Sequence, residues 1–427
     1  MSSPTNKVLE SESLSRAGED LRAQAEALGA QLQDSLTALL SHLPRRILGP
    51  QALSDTLEGI NVVTASRLMK AIGQKDSIAT LQLLPGPKPL QRIVEAATAL
   101  GLDSDATQPA ATAIVHFDHF IREQAGDRSS LKAMLSAWLP EERREFENQR
   151  RQAVFKARHE LDGVSSELEL NTIILHPSQE PGKIDLVNIG CIFGIDRIRP
   201  DAVVKLGTRR LDPVASEEGK RPRLPENLDG EPATDGLHSV CLTEFCNSPP
   251  APMKVDRHGP SMHYSLGPTG FGRASKVDLV VAEVNKGEFG SKGSGAVEEA
   301  HFFVLPGMCT RKLVFDLLLH EDVFAGRSPE LLFYDTTSQG PVVAGDPKRE
   351  LDRRHFSQSI ETIGTDLRRA RLLEFPAYGK LLENVFEKMK WRDFKFRAYR
   401  MEITYPLTGI QVSFAFFPKK PGEPIQK

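Results

Sequence analysis

The chain has 427 residues, 40% of them hydrophobic and 26% charged, with a net charge of −3. That suits a soluble globular protein with two or three cores, because single cores seldom grow past about 250–300 residues. No strongly basic balance points to nucleic acid, and four cysteines are too few for a disulfide framework in a chain this long. The opening MSSPTNKVLESES lacks the apolar core of a signal peptide, and no run approaches the length of an apolar membrane span. A reducing cytoplasmic setting without membrane is the expectation.

Residues 9–43 predict a helix. Leu14, Leu21 and Leu28 recur every seven residues, and Leu32, Leu36, Leu39 and Leu43 continue at spacings of three and four. Packing on its own domain and self-association into a homodimer through Leu14 to Leu43 both account for the stripe. Gly49-Pro50 breaks the chain and opens a helical block to residue 102, punctuated by Pro85-Gly86-Pro87, with helices expected over 76–84 and 90–100. A polar stretch, 103–112, reads as a loop or short linker, and residues 110–162 are again helical in pattern, a connector reaching residue 163. Its basic run carries Arg143, Arg144, Arg150, Arg151, Lys156 and Arg158, read as either a solvated face or a contact to phosphates.

From residue 164 the pattern changes to β-branched, alternating segments. Strands are expected at 167–175, 183–195, 201–206, 277–284, 301–306, 312–319, 399–406 and 410–417, with helices at 361–373 and 376–390. Residues 212–236 are rich in Pro, Gly and charge and read as an exposed loop or disordered insertion. The expected fold class is therefore α+β and multidomain. It divides into a leucine-rich helix (1–44), a helical headpiece (45–102), a connector (103–163), a mixed α/β domain (164–420) and a short tail (421–427).

Local charge says more than the total. Residues 45–92 hold Arg45, Arg46, Arg67, Lys70, Lys75, Lys88 and Arg92 against Asp55, Glu58 and Asp76, a basic patch in a mildly acidic protein. Within it, PQALSDTLEGINVVTASRLMKAIG supplies two helices and a tight turn. Leu53 and Leu57 face inward on the first, Gly59 sits where the chain leaves it, and Asn61 suits an N-cap. Ala65, Leu68, Met69 and Ile72 make a buried stripe on the second helix, so Val63, Thr64, Ser66, Arg67 and Lys70 project outward. The segment resembles the winged and simple helix-turn-helix families of bacterial regulators, with Leu53-Ser54-Asp55-Thr56-Leu57 matching the first helix and Thr64-Ala65-Ser66-Arg67-Leu68 the second. The glycine is displaced by one, because Glu58 precedes Gly59. The resemblance spans about 25 residues. It implies double-stranded DNA as partner, with Val63, Thr64, Ser66, Arg67, Lys70, Arg45 and Arg46 as the DNA-binding set.

Catalytic chemistry is hard to find. Residues 267–275, GPTGFGRAS, miss the Lys-Ser/Thr of a phosphate-binding loop, and His320-Glu321 lacks the second histidine of a zinc-protease helix. His238, Cys241 and Cys246 fall short of structural zinc spacing, with His258 and His263 downstream. The pattern HFDHF, with His116 and His119, reads as packing. Asp316 and His320, and the charged residues from Arg397 to Tyr405, are candidates to line a pocket for a small-molecule effector, and alternation of exposed and buried faces accounts for them equally well. No catalytic residue, metal or cofactor is expected. The reading is a DNA-binding transcription regulator whose C-terminal domain senses or assembles. Its alternatives are a non-catalytic protein–protein interaction or scaffold protein, and an enzyme with its site in residues 165–420.

Overall fold

The computed structural model describes residues 4–43, 49–210, 225–233, 236–247, 251–258, 261–267, 276–290, 299–343 and 345–417. The chain divides into two compact units, Met1–Phe146 and Glu147–Lys427. Secondary structure is mixed α and β, and the N-terminal unit is helical.

The first unit contains α1 (Pro4–Ser41), α2 (Pro50–Thr56), α3 (Val62–Ile72), α4 (Ser77–Leu83), α5 (Pro87–Ala99), α6 (Ser104–Gln124) and α7 (Arg128–Ser136), and α8 (Pro140–Asp162) begins in it. Local chemistry sets the boundaries. The side chains of Asn61, Asp76, Asp103 and Asp127 accept N–H groups of the first turns of α3, α4, α6 and α7. Pro50 and Pro87 open α2 and α5, where a missing N–H costs nothing.

Leu28, Leu32, Leu36, Leu39 and Leu43 of the α1 stripe are buried in one core with Leu53, Leu57, Leu68, Leu81, Ile93, Phe117 and Leu131. One core thus joins residues from the expected leucine helix, headpiece and connector. From Leu28 onward the stripe is occupied within its own unit and leaves no free apolar seam there for a second copy. Two contacts tie α1 to the helices after it. A Cβ on Gly29 would lie 2.0 Å from the Ser77 carbonyl oxygen, so only glycine permits this approach to α4. The Gln33 side-chain amide donates to Ile72 O at 2.8 Å and Gln74 O at 2.7 Å, capping the end of α3.

The second unit is built on a six-stranded sheet, ordered β11-β12-β8-β1-β2-β6. Its strands are β1 (Val164–Pro177), β2 (Lys183–Arg197), β6 (Val277–Gly290), β8 (Thr310–His320), β11 (Glu361–Gly364) and β12 (Phe396–Thr404). β1 and β8 run parallel and the other neighbours antiparallel. Leu168, Leu170 and Ile174 pack on α9 (Tyr378–Lys388) through Leu381, Leu382 and Val385. On the alternate residues, Ile173, Leu175, Phe315 and Leu317 meet Phe302, Phe333, Phe414 and Phe416 of a second sheet. That sheet orders β10 (Arg353–Arg354), β9 (Glu330–Asp335), β13 (Ile410–Phe416) and β7 (Ala300–Val304). Burial on both faces explains why VFDLLL in β8 reads as a nearly continuous apolar run. A third sheet orders β3 (Lys205–Arg210), β5 (Ser261–Leu266) and β4 (Met253–His258).

Three expectations are corrected here, the first being the loop or linker over 103–112, which lies in α6 because Asp103 caps that helix at its start. Residues 361–373 are not a helix: β11 pairs with β12 as the sheet edge and a short 3-10 turn, Leu367–Arg369, follows. Sheet pairing overrode the local pattern. Residues 225–233, the described part of the expected loop, are pinned to the edge of β6, where Glu226 and Val284 exchange two backbone hydrogen bonds of 2.8 Å.

Candidate nucleic-acid interface

The outward face of α3 is built by what holds its inward face. In α2, Leu53 is fully buried, and Leu57 closes its C-terminal end, donating its N–H to Leu53 O. Gly59 then takes a φ of +81°, a left-handed conformation that β-substituted residues resist. Its missing side chain would meet nothing within 4 Å, so backbone conformation alone requires the glycine. Ile60 turns back into the core, and the Ser54 hydroxyl donates to its carbonyl at 2.7 Å. Asn61 Oδ1 accepts the Thr64 N–H at 2.8 Å and starts α3. The displaced glycine therefore fits a five-residue connection between α2 and α3.

Ala65, Leu68 and Ala71 are buried, and Met69 and Ile72 pack partly buried against the same core. Val62, Val63, Ser66, Arg67 and Lys70 are exposed, Val63 to 68%, while Thr64 is half-buried. The structure thus brings five of the seven predicted DNA-binding residues onto one helix. Arg45 and Arg46 lie outside the described residues. Lys75, Lys88 and Arg92 of the basic patch are also exposed.

Arg128 was not singled out in the sequence. At the start of α7 it opposes the helix dipole, which marks it as serving something else. Its guanidinium donates to the carbonyls of Leu81, Gln82 and Leu84 at 2.7, 3.0 and 3.1 Å, closing the C-terminal end of α4, and it lies over the Phe117 ring. Burial, then the nearby positive charge of Arg67, disfavours its charged form. Arg67 touches the same Leu84 carbonyl at 3.5 Å, the limit of a hydrogen bond. It is therefore held only loosely within the protein and has hydrogen-bonding capacity left over.

The other candidates resolve into structural uses. Arg151 of the basic α8 run is buried and donates to Thr404 O, so it is not available to phosphates, and the exposed Arg158 pairs with Asp162 at 3.0 Å. Phe117 and Phe120 of HFDHF are core residues, and His116 and His119 are exposed. Asp316 is fully buried and takes both Arg400 Nε and Nη2, at 2.8 and 2.7 Å, and the Tyr378 hydroxyl at 2.7 Å. Arg397 donates to the carbonyls of Val323, Phe324 and Arg327. The Tyr405 hydroxyl accepts from Gln152, and the His320 ring packs edge-on to His176 at 4.7 Å. His238 Nε2 faces the Met253 carbonyl, and Cys241 and Cys246 are free thiols. Among the described residues, no group of three or more His, Cys, Asp or Glu is placed to hold a metal ion. No described helix is long and apolar enough to cross a membrane.

Comparison with protein-family models, with curated proteins and with solved structures finds no match for this chain.

Proposed function

We propose that the protein is a DNA-binding transcription regulator that presents α3 to the major groove of duplex DNA. One observation carries this reading. The α3 face bearing Val63, Ser66, Arg67 and Lys70 is open to solvent, while its opposite face is anchored in the core and both its ends are capped. A reading helix needs that combination, since side chains must reach base edges from a rigid support. Arg67 and Lys70 supply charge for phosphates or guanine, Ser66 and Thr64 supply hydroxyls, and Val63 suits a thymine methyl. Residues 1–146 are the DNA-binding unit in this reading, and the second unit serves sensing or assembly. A cavity of about 190 Å³ in that unit, lined by Leu382, Glu383, Phe386, Trp391, Phe394 and Phe396, supports sensing of a small apolar effector.

The test is gel retardation of genomic DNA fragments at two salt concentrations, with the wild type and with Arg67→Ala/Lys70→Ala. Each phosphate contact contributes about 0.9 to the slope of log affinity against log salt, so losing two lowers the slope by about 1.8. The reading fails if the wild-type protein retards no fragment, or if the double substitution leaves retardation unchanged.

A further inference from the structure

The outer edge of β6 is closed by residues 240–246 in an unusual way. The backbone continues the sheet pattern for two hydrogen bonds: Ala282 N–H to Val240 O at 2.9 Å and Leu242 N–H to Val280 O at 2.8 Å. A short 3-10 turn, Thr243–Phe245, then carries the chain off the edge, and the Val280 N–H is left to a sulfur. It donates to Cys246 Sγ at 3.2 Å. Cys241 Sγ lies 3.7 Å from the same sulfur, and both thiols are free and half-buried. Cys241 also lines a solvent-open cavity of about 230 Å³ with Asp229, Thr243, Glu244 and Lys388.

We propose that Cys241 and Cys246 form a dithiol site that hydroperoxides oxidise to an intramolecular disulfide. The two cysteines have different roles, set by their hydrogen bonds. Cys246 Sγ accepts the Val280 N–H, lies 3.7 Å from Cys241 Sγ and, while protonated, donates to Leu242 O at 3.4 Å; its contacts to Cys241 and to the Val280 N–H lower its pKa to about 7 despite partial burial, and Cys241 is raised correspondingly. Cys246 is therefore the attacking thiolate and Cys241 the resolving thiol. In the first step Cys246 sulfur bonds to one peroxide oxygen, and the O–O bond breaks. Hydroxide or alkoxide leaves and takes up a proton, so cysteine is oxidised to a sulfenic acid and peroxide is reduced. In the second step Cys241 sulfur bonds to Cys246 sulfur, and the S–O bond breaks. The departing hydroxide takes the Cys241 proton and leaves as water. A disulfide requires the sulfurs to close from 3.7 Å to about 2.05 Å. The other two cysteines are poor competitors, because Cys191 and Cys309 are buried and burial pushes both thiols up.

The experiment uses the full-length reduced protein and hydrogen peroxide, followed by denaturation, alkylation and tryptic mass spectrometry. Residues 224–254 contain no internal Lys or Arg before Lys254, so one peptide carries both cysteines. It is expected to lose two hydrogen atoms and resist alkylation until reduced, while Cys191 and Cys309 are alkylated throughout. In Cys241→Ser a dimedone adduct is expected on Cys246, and in Cys246→Ser residues 224–254 are expected to stay unmodified. Continued alkylation of both cysteines in the wild-type protein, at peroxide levels that oxidise a simple dithiol, overturns the proposal. So does a Cys246→Ser variant in which Cys241 traps dimedone as readily as Cys246 does in Cys241→Ser.

Discussion

Replacing Glu169 with Gln is expected to change the pH dependence of stability of the second unit by a calculable amount. Glu169 lies in the middle of the six-stranded sheet on β1, between Leu313 of β8 and Ile192 of β2, with 8% of its surface exposed. Asn171 Nδ2 donates to it at 3.3 Å, too weak a contact to offset burial. Burial pushes its pKa from 4.5 up to about 7. The unfolded chain releases this proton near pH 4.5 and the folded chain only near pH 7. Between those values the folded state binds more protons, so stability falls as pH rises. Integrating between about pH 5 and pH 8 gives a loss of roughly 2–3 kcal/mol attributable to this carboxyl. His176 and His301 have pKa values lowered by burial and act in the opposite sense, with stability rising as pH rises through their range. They are present in both proteins and cancel in the difference. The protein has two tryptophans, one in each unit, so a Trp138→Phe background leaves Trp391 to report urea unfolding of the second unit. Glu169→Gln should be more stabilising, relative to Glu169, at about pH 8 than at about pH 5 by that amount. An equal effect at both pH values would show that the carboxyl does not keep its proton through burial, and the reasoning would fall.

Other perturbations test the supports of the two units. Gly29→Ala forces a methyl into the Ser77 carbonyl and should cost the first unit about 1–3 kcal/mol; a thermal melt followed through Trp138 that does not move would refute the close approach. Asn61→Ala removes the α3 N-cap, an expected loss of about 1 kcal/mol measured by urea unfolding, and DNA retardation should weaken with it. Arg400→Met strands the buried Asp316 carboxylate and should destabilise the second unit by about 3–5 kcal/mol, whereas Asp316→Leu/Arg400→Met should recover most of that. Equal losses in the single and double variants would mean that the ion pair is not what the network depends on.

Much of the first unit was legible in the sequence because helical signals are local. The apolar spacing in α1 and α3, the Asn61 cap, Gly59 and the prolines opening α2 and α5 each act within one or two turns. The outward set on α3 followed from the same periodicity. Arg128 and Gln33 were missed for the opposite reason. Arg128 acts on carbonyls more than 40 residues away in sequence and Gln33 on Ile72, and single-chain spacing carries no trace of such pairings. In the basic run of α8, Arg144, Arg150, Lys156 and Arg158 are exposed as on a solvated face, whereas Arg151 is buried against Thr404, a pairing that spacing does not show.

The second unit shows the division most clearly. Alternation identified most of its strands, because a strand's side chains alternate faces wherever it lies. Strand order, the parallel pairing of β1 with β8 and the edge position of β11 arise from contacts between distant segments. By itself the sequence determined most of the helices of the first unit, many strands of the second and which face of α3 is polar. Only the tertiary structure decided that the leucines from Leu28 to Leu39 are buried within their own unit, that Asp316 and Arg400 meet, and that Cys246 closes a sheet edge with its sulfur. Local propensity and periodicity act over a few residues, whereas burial and pairing depend on where the whole chain brings its surfaces together.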